Sequence, residues 1–352
     1  MKKILFSLLA AAAITACTKS GIEYDQPDEI GFVPVAKLNT KAAVNSTDYP
    51  DGLNMYVFAK AGLDGNNSNT VEASECTEDY FNNAEFSHKT GDKGDASNVF
   101  SGVTPYYWPN VKKLIFSGYS KSGNVADLTK KPTYDGNKIT IEGYKPGAGT
   151  DVEGDNDLMW FPTVGPYAKP GNIGTDNDKD VNVVMQHACA WITINIKGDK
   201  VTGAEDTSWK IEDLTFATLS QSGNVTLDTK AIWTPGEATP FDAYTKIGPT
   251  PLTEDYVDFT ILTYTDLIII PQPTKTLTVK YSFVSQKGGS AAEDKDIVIT
   301  EVKDIPLTYT SDDGWKPGVH YTYNITIGTE EILVEPTVTG WDTTTSVPEV
   351  TL

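Results

Sequence analysis

Apolar and polar residues alternate along most of this chain, and where a period can be read it is two. The clearest stretch runs from Val181 to Ile196, sixteen residues without a glycine, a proline or a charge. From Ile192 to Ile196 every second residue is apolar, the spacing of a half-buried strand. Ahead of that, apolar side chains occupy both parities, as in a strand covered on both faces. The stretch predicts one long strand that closes a first β unit. Gly198, Asp199 and Lys200 end it, and a second series of strands begins at Trp209.

The same pattern marks strands on either side. Ile30, Phe32, Pro34 and Ala36 share one face of a strand over Glu29 to Lys37, and its internal proline, unable to donate to a ladder, places it at a sheet edge. Leu53 to Ala59, Tyr80 to Phe86, Leu114 to Tyr119, Lys138 to Glu142 and Leu158 to Trp160 follow. The second half reads as strands at Lys210 to Ala217, Ser222 to Leu227, Asp266 to Ile270, Thr276 to Phe283, Ile297 to Ile299 and His320 to Ile327. A last alternation, Ile332, Val334, Pro336 and Val338, leads to Gly340-Trp341 and a polar tail bearing Val347, Val350 and Leu352. Strands between turn signals, with no sustained helical period, predict an all-β fold of antiparallel sandwiches.

Composition narrows the function. A chain of 352 residues suits two domains, each able to hold a core. The formal charge is −20 and the basic residues are 28 lysines with no arginine, which excludes a nucleic-acid groove. No Ser-His-Asp order, phosphate loop or Cys/His metal spacing is present, so the chain reads as neither enzyme nor cofactor protein. His187 and His320 lie in apolar strands and read as satisfied core residues. Asp176, Asp178 and Asp180 have the alternate spacing of a calcium loop. The sixth-position glycine is missing and His187 stands where the twelfth-position glutamate belongs, so they read as a solvated turn. Tyr106, Tyr107 and Trp108 form either a sugar-stacking platform or a corner packed on the core.

The first residues form an address. Lys2 and Lys3 precede a short apolar run, Ile4 to Ile14, too short to span a bilayer of about 20 residues. Ile14-Thr15-Ala16-Cys17 resembles a bacterial lipobox, with Cys17 as the lipid-attachment residue after removal of residues 1–16. Residues 17–28 then form a tether. Cys76 and Cys189 remain, either as a disulfide in an oxidising envelope or as a buried thiol and an unrelated loop cysteine.

Several motifs recur in a fixed order: the lipobox, Tyr107-Trp-Pro before Leu-Ile-Phe-Ser-Gly-Tyr119, Asp157-Leu-Met-Trp160, Val184-Met-Gln-His-Ala-Cys-Ala-Trp191, Ile269-Ile-Pro-Gln272, and Trp315-Lys-Pro-Gly-Val-His-Tyr-Thr-Tyr323 followed by Val338-Thr-Gly-Trp341. In this the chain resembles the fimbrillins, the Mfa-like subunits of Bacteroidetes type V pili. The resemblance implies two tandem transthyretin-like β-sandwiches, here 29–200 and 201–352. It also implies an outer-membrane lipoprotein precursor that ends in a fimbrium and supports adhesion. Its partners would be other pilus subunits, a lipid anchor and a trypsin-like protease.

On the same resemblance, the protease removes the first strand, with Ile30, Phe32, Pro34 and Ala36, and a neighbour's C-terminal segment takes its place by donor-strand exchange. The donor residues here would be Ile332, Val334, Val338, Val347, Val350 and Leu352. Fimbrillins are usually processed at arginine. This chain has none, so cleavage falls to Lys41 or Lys37. This reading expects the first strand at an edge; residues 29–37 lying loose on the outside, or locked centrally between two partners, would overturn it. Two alternatives remain: an unprocessed anchor subunit, and a surface lipoprotein that binds glycans.

Overall fold

The computed structural model describes residues 28–36, 54–63, 71–88, 99–110, 112–121, 128, 130–146, 157–169, 180–199, 207–259, 267–285, 297–308, 314–328 and 332–340. Over these the chain is all-β, with twenty strands and one 3-10 turn, Ala73–Glu75. Seven strands form a closed barrel in its N-terminal half. They are β1 (Gly31–Ala36), β2 (Asn54–Leu63), β3 (Glu78–His88), β4 (Phe100–Gly102), β5 (Lys112–Lys121), β8 (Leu158–Tyr167) and β9 (Asp180–His187), in the spatial order β1-β4-β3-β2-β5-β8-β9. Every pairing in the ring is antiparallel except the one that closes it, β1 with β9.

The single long strand expected from Val181 to Ile196 is two strands. β9 ends at His187, and β10 (Ala190–Gly198) begins three residues later in a different sheet. The break is fixed by backbone bonds: Ala188 N–H donates to Leu158 O at 2.8 Å, and Gly318 N–H donates to Cys189 O at 2.8 Å. Beside it His187 Nδ1 bonds the carboxylate of Asp157, both side chains essentially out of solvent. The chain thus leaves the barrel and enters the second body between two buried residues, with no turn residue to mark the change.

That second body is a sandwich. One layer sets β10 between β19 (Val319–Ile327) on one side and the short β15 (Val257–Asp258) and β16 (Leu267–Ile269) on the other, and β20 (Ile332–Gly340) borders β19. The facing layer runs β14 (Ala238–Pro251), β11 (Thr207–Ser220), β17 (Thr276–Ser285), β18 (Ile297–Pro306). Ile192, Ile194, Leu214, Phe216, Val279, Tyr321 and Tyr323 meet in the core between them. β14 carries three prolines and a glycine, which hid it in the sequence; it tolerates them because it borders its sheet.

A third sheet joins the halves. β6 (Thr133–Tyr134) and β7 (Ile139–Tyr144) continue into β12 (Gly223–Leu227) and β13 (Ala231–Pro235) across the β7–β12 ladder. It covers Tyr56 and Phe58, while Met55, Val57 and Ala59 of the same strand fill the barrel. Burial on both faces is why β2 reads as an unbroken apolar run.

Candidate assembly site

The strand expected to be removable is β1, and the structure corrects its placement. It is not at an edge. Gly31 and Phe32 pair with Ser101 and Phe100 of β4, while all six residues from Gly31 to Ala36 pair with β9, from Asp180 to Met185. Pro34 is accommodated for a local reason: the β4 ladder stops at Phe32, so the proline lies where β1 is paired on one side only. β4 was invisible in the sequence because it is three residues long, in a stretch rich in glycine and serine.

Just before β1 the chain is held again. Ile30 N–H donates to Tyr106 O and Trp108 N–H donates to Asp28 O, at 2.8 and 2.9 Å, with Glu29 bridged to Tyr107. This settles the aromatic corner. Trp108 is 3% exposed and lies edge-on to Phe116, and Tyr106 packs on Phe81 at 4.5 Å. The corner is a clamp on the segment leading into β1 rather than a sugar platform, and of its three rings only Tyr107 is exposed.

Inside the barrel Ile30 and Phe32 are fully buried. Phe32 is edge-on to both Phe86 and Phe116, with ring centroids 4.9 and 5.3 Å away, and 6.1 Å from Phe161. Pro34 is buried too, while Val33, of the opposite parity, is half-buried. Gly31 lies so close to its neighbours that a Cβ there would stand 2.3 Å from Asp180 Oδ1. The slot that β1 fills is thus apolar on the barrel side and tight against β9 on the other. Ala36 is described only through its backbone. Cys17, Lys37, Lys41, Val347, Val350 and Leu352 lie outside the described residues.

The far end of the chain provides β20. It pairs with β19 in unbroken register from Val319↔Gly340 to Ile327↔Ile332 and is the outer strand of its layer. Pro336 and Val338 are buried, and Ile332, Val334 and Val338 pack on the sandwich core. Leu333, on the other face, is 50% exposed, and Glu335 Oε2 accepts from Tyr256 Oη. The structure therefore holds the described donor candidates against their own sandwich, far along the chain from the slot in the barrel.

His320 and the two described cysteines are packed into the fold. His320 stacks on Trp191 with centroids 3.6 Å apart, bonds Thr193 Oγ1 at 2.9 Å, and is lowered to about 4 by burial. Cys76 and Cys189 are both free and buried, so they do not form the disulfide, and burial raises both thiols. Among the described residues no group of His, Cys, Asp and Glu has the arrangement of a metal site.

The sequence profile of fimbrillin-like proteins matches residues 40–341. The chain belongs to the fimbrillin-like family. Among solved structures, a fimbrial protein from Bacteroides vulgatus shares the fold at a TM-score of 0.61 and 16% identity, over 89% of this chain and 99% of that one. A putative cell adhesion protein from Parabacteroides distasonis matches more loosely, at TM-score 0.48, 10% identity and coverage of 91% and 99%. So does the tip fimbrial protein Mfa3 of Porphyromonas gingivalis, at 0.43, 13%, 89% and 99%. No curated protein sequence matches the chain. As a fimbrillin the protein is a pilus and cell-adhesion subunit.

Proposed function

We propose that this fimbrillin polymerises, or caps a fimbria, by protease-triggered donor-strand exchange. Cys17 anchors the precursor to the outer membrane, a lysine-accepting trypsin-like protease cuts at Lys41 or Lys37, β1 leaves, and the Ile332–Leu352 segment of another subunit enters the barrel. The finished fimbrium lies at the cell surface and supports adhesion. We place the joint between its two β bodies at Ala188–Cys189.

One observation carries the reading: the alternation of β20 repeats that of the strand it would replace. Ile30, Phe32, Pro34 and Ala36 correspond in spacing to Ile332, Val334, Pro336 and Val338, with the proline third in each series and buried in each strand. A donor built this way offers the slot an apolar residue at every second position and has no N–H at the position where β1 also lacks one. Ile332, Val334 and Val338 already pack on their own sandwich, so the exchange trades one apolar site for another, and what it gains is the vacated slot of the barrel, whose apolar lining is otherwise left open to water. Because the contact is head-to-tail it does not close on itself, and it propagates.

The two-sided pairing at Gly31 and Phe32 makes departure of β1 demanding, since both ladders and the Tyr106–Trp108 clamp must open together. Cleavage supports this by turning a tethered strand into a free peptide that leaves irreversibly. Burial of Trp108 counts against the glycan-binding alternative. Mass spectrometry of native fimbriae tests the processing step. A mature N-terminus at Ala42 or Leu38 is expected; subunits retaining residues 29–41 within the fibre would overturn it and make the chain an unprocessed anchor.

A further inference from the structure

β18 is an edge guarded by charge alone. It pairs with β17 through all ten residues, from Thr276↔Pro306 to Ser285↔Ile297, and no described strand covers its other side. Edge strands are commonly blunted by bulges, internal prolines, shortness or charged side chains, and of these β18 has only the charges, of both signs, on Glu301, Lys303 and Asp304. β18 has an unbroken register, its single proline is its last residue, and it exposes Val298, Ile299 and Val302 by 55%, 52% and 58%. Val298 and Val302 lie on one face of this open edge and Ile299 on the other, so a strand paired to it would meet apolar side chains on both faces.

The strand's own sequence says which partner. Read outward from Val302, the residues are Glu301 and Lys303, then Thr300 and Asp304, then Ile299 and Ile305. We propose that β18 is a homotypic docking edge, at which two copies of this chain pair antiparallel about a two-fold axis through Val302. In that register Val302 opposes Val302, Glu301 opposes Lys303 twice, Thr300 opposes Asp304, and Ile299 opposes Ile305. Every cross-strand pair is then apolar with apolar, opposite in charge, or hydroxyl with carboxylate, the combinations that stabilise antiparallel neighbours.

Other axes fail by the same criterion. An axis through Glu301 sets glutamate against glutamate, one through Lys303 sets lysine against lysine, and one through Thr300 sets Ile299 against Glu301. The threonine–aspartate pairing already exists on the strand's inner side, where Thr278 Oγ1 donates to Asp304 Oδ1 at 2.7 Å. Glu301 Oε2 accepts from Tyr281 Oη at 2.9 Å and lies 3.6 Å from Lys303 Nζ along the strand, both charged side chains about half exposed, so giving up the lysine contact alone for one across the axis sacrifices little. The contact is isologous and joins two four-stranded layers into one of eight. It uses neither β1 nor β20, and it stands whether or not strands are exchanged.

The test is sedimentation of the purified chain over a concentration series at about 0.15 M ionic strength, where the Debye length of about 8 Å screens the repulsion of its −20 charge. The wild type should reach a dimer mass. Lys303→Glu, which sets Glu301 against a glutamate on both sides of the axis, should weaken association at least tenfold. The swap Glu301→Lys with Lys303→Glu should restore it. As a second measurement, Val302→Cys should form a disulfide-linked dimer under mild oxidation at least tenfold faster than Val298→Cys. A wild type monomeric throughout, a Lys303→Glu variant that associates like wild type, a swap that fails to restore, or equal cross-linking at both cysteines would each overturn the proposal.

Discussion

Phe32 stands edge-on to Phe86, ring centroids 4.9 Å apart and planes at 87°, so the strand that closes the barrel also supplies the centre of its aromatic core. Its ring contacts with Phe86, Phe116 and Phe161 reach across the barrel to β3, β5 and β8, beyond its ladder partners β4 and β9, which ties removal of β1 to the integrity of the whole ring.

Phe32→Ala should therefore lower the stability of the uncleaved chain by about 3–5 kcal/mol, the range for an emptied aromatic site in a packed core. Urea denaturation followed by tryptophan fluorescence reads this. A loss under about 1 kcal/mol would mean that β1 is only loosely seated.

Gly31 makes a complementary point, because the slot is tight as well as apolar. A Cβ at Gly31 meets Asp180 Oδ1 at 2.3 Å and Val99 Cγ1 at 2.9 Å. Gly31→Val should destabilise the chain and Asp180→Ala should recover part of the loss, since the closer obstacle is a side-chain carboxylate. No recovery in thermal melts would mean that the backbone of β9, rather than Asp180, sets the limit.

The two cysteines should be silent in the native protein. Both are free and buried, and desolvation raises each thiol, so little reactive thiolate forms near neutral pH. Alkylation should modify neither until denaturant is added. A mass that rises by two hydrogens on reduction, or rapid native labelling of Cys189, would contradict free thiols buried as the structure has them.

His320 gives a pH dependence. Burial lowers it from the usual 6.5 to about 4, so the folded state keeps it neutral while the unfolded chain protonates it first. Stability from this group is complete above about 6.5 and is lost as pH falls toward 4, by at most about 1.4 kcal/mol per unit and less for the solvent it retains. Melting temperatures from pH 7 to 4.5 should fall more steeply in wild type than in His320→Gln. Parallel curves would contradict the assignment.

Much of this architecture was legible in the chain, for identifiable reasons. β17 and β19 carry strong period-two patterns because one face meets a core, and β2 reads as an apolar run because both faces do, since a core imposes side-chain type. The break between β9 and β10 was not legible, since Ala188 and Cys189 turn the chain through hydrogen bonds from Gly318 and to Leu158, which lie far away in sequence. Pro34 misled for a similar reason. It marks the absence of a neighbour on one side, but only for the length beyond Phe32, and the short β4 that ends there has no pattern of its own. The correspondence between β1 and β20 was present in the sequence throughout; the burial of both prolines gives it physical meaning.

The central claim, that β1 is replaced by a terminal segment from another subunit, is tested most directly by negative-stain imaging of the purified chain before and after limited lysine-specific digestion near Lys41. Monomers should become filaments after the cut, and Val334→Asp with Val338→Asp should prevent this while leaving the cut itself unchanged. Digested protein that has lost residues 29–41 and still remains monomeric, or filaments that form equally well with both aspartates in place, would contradict the account.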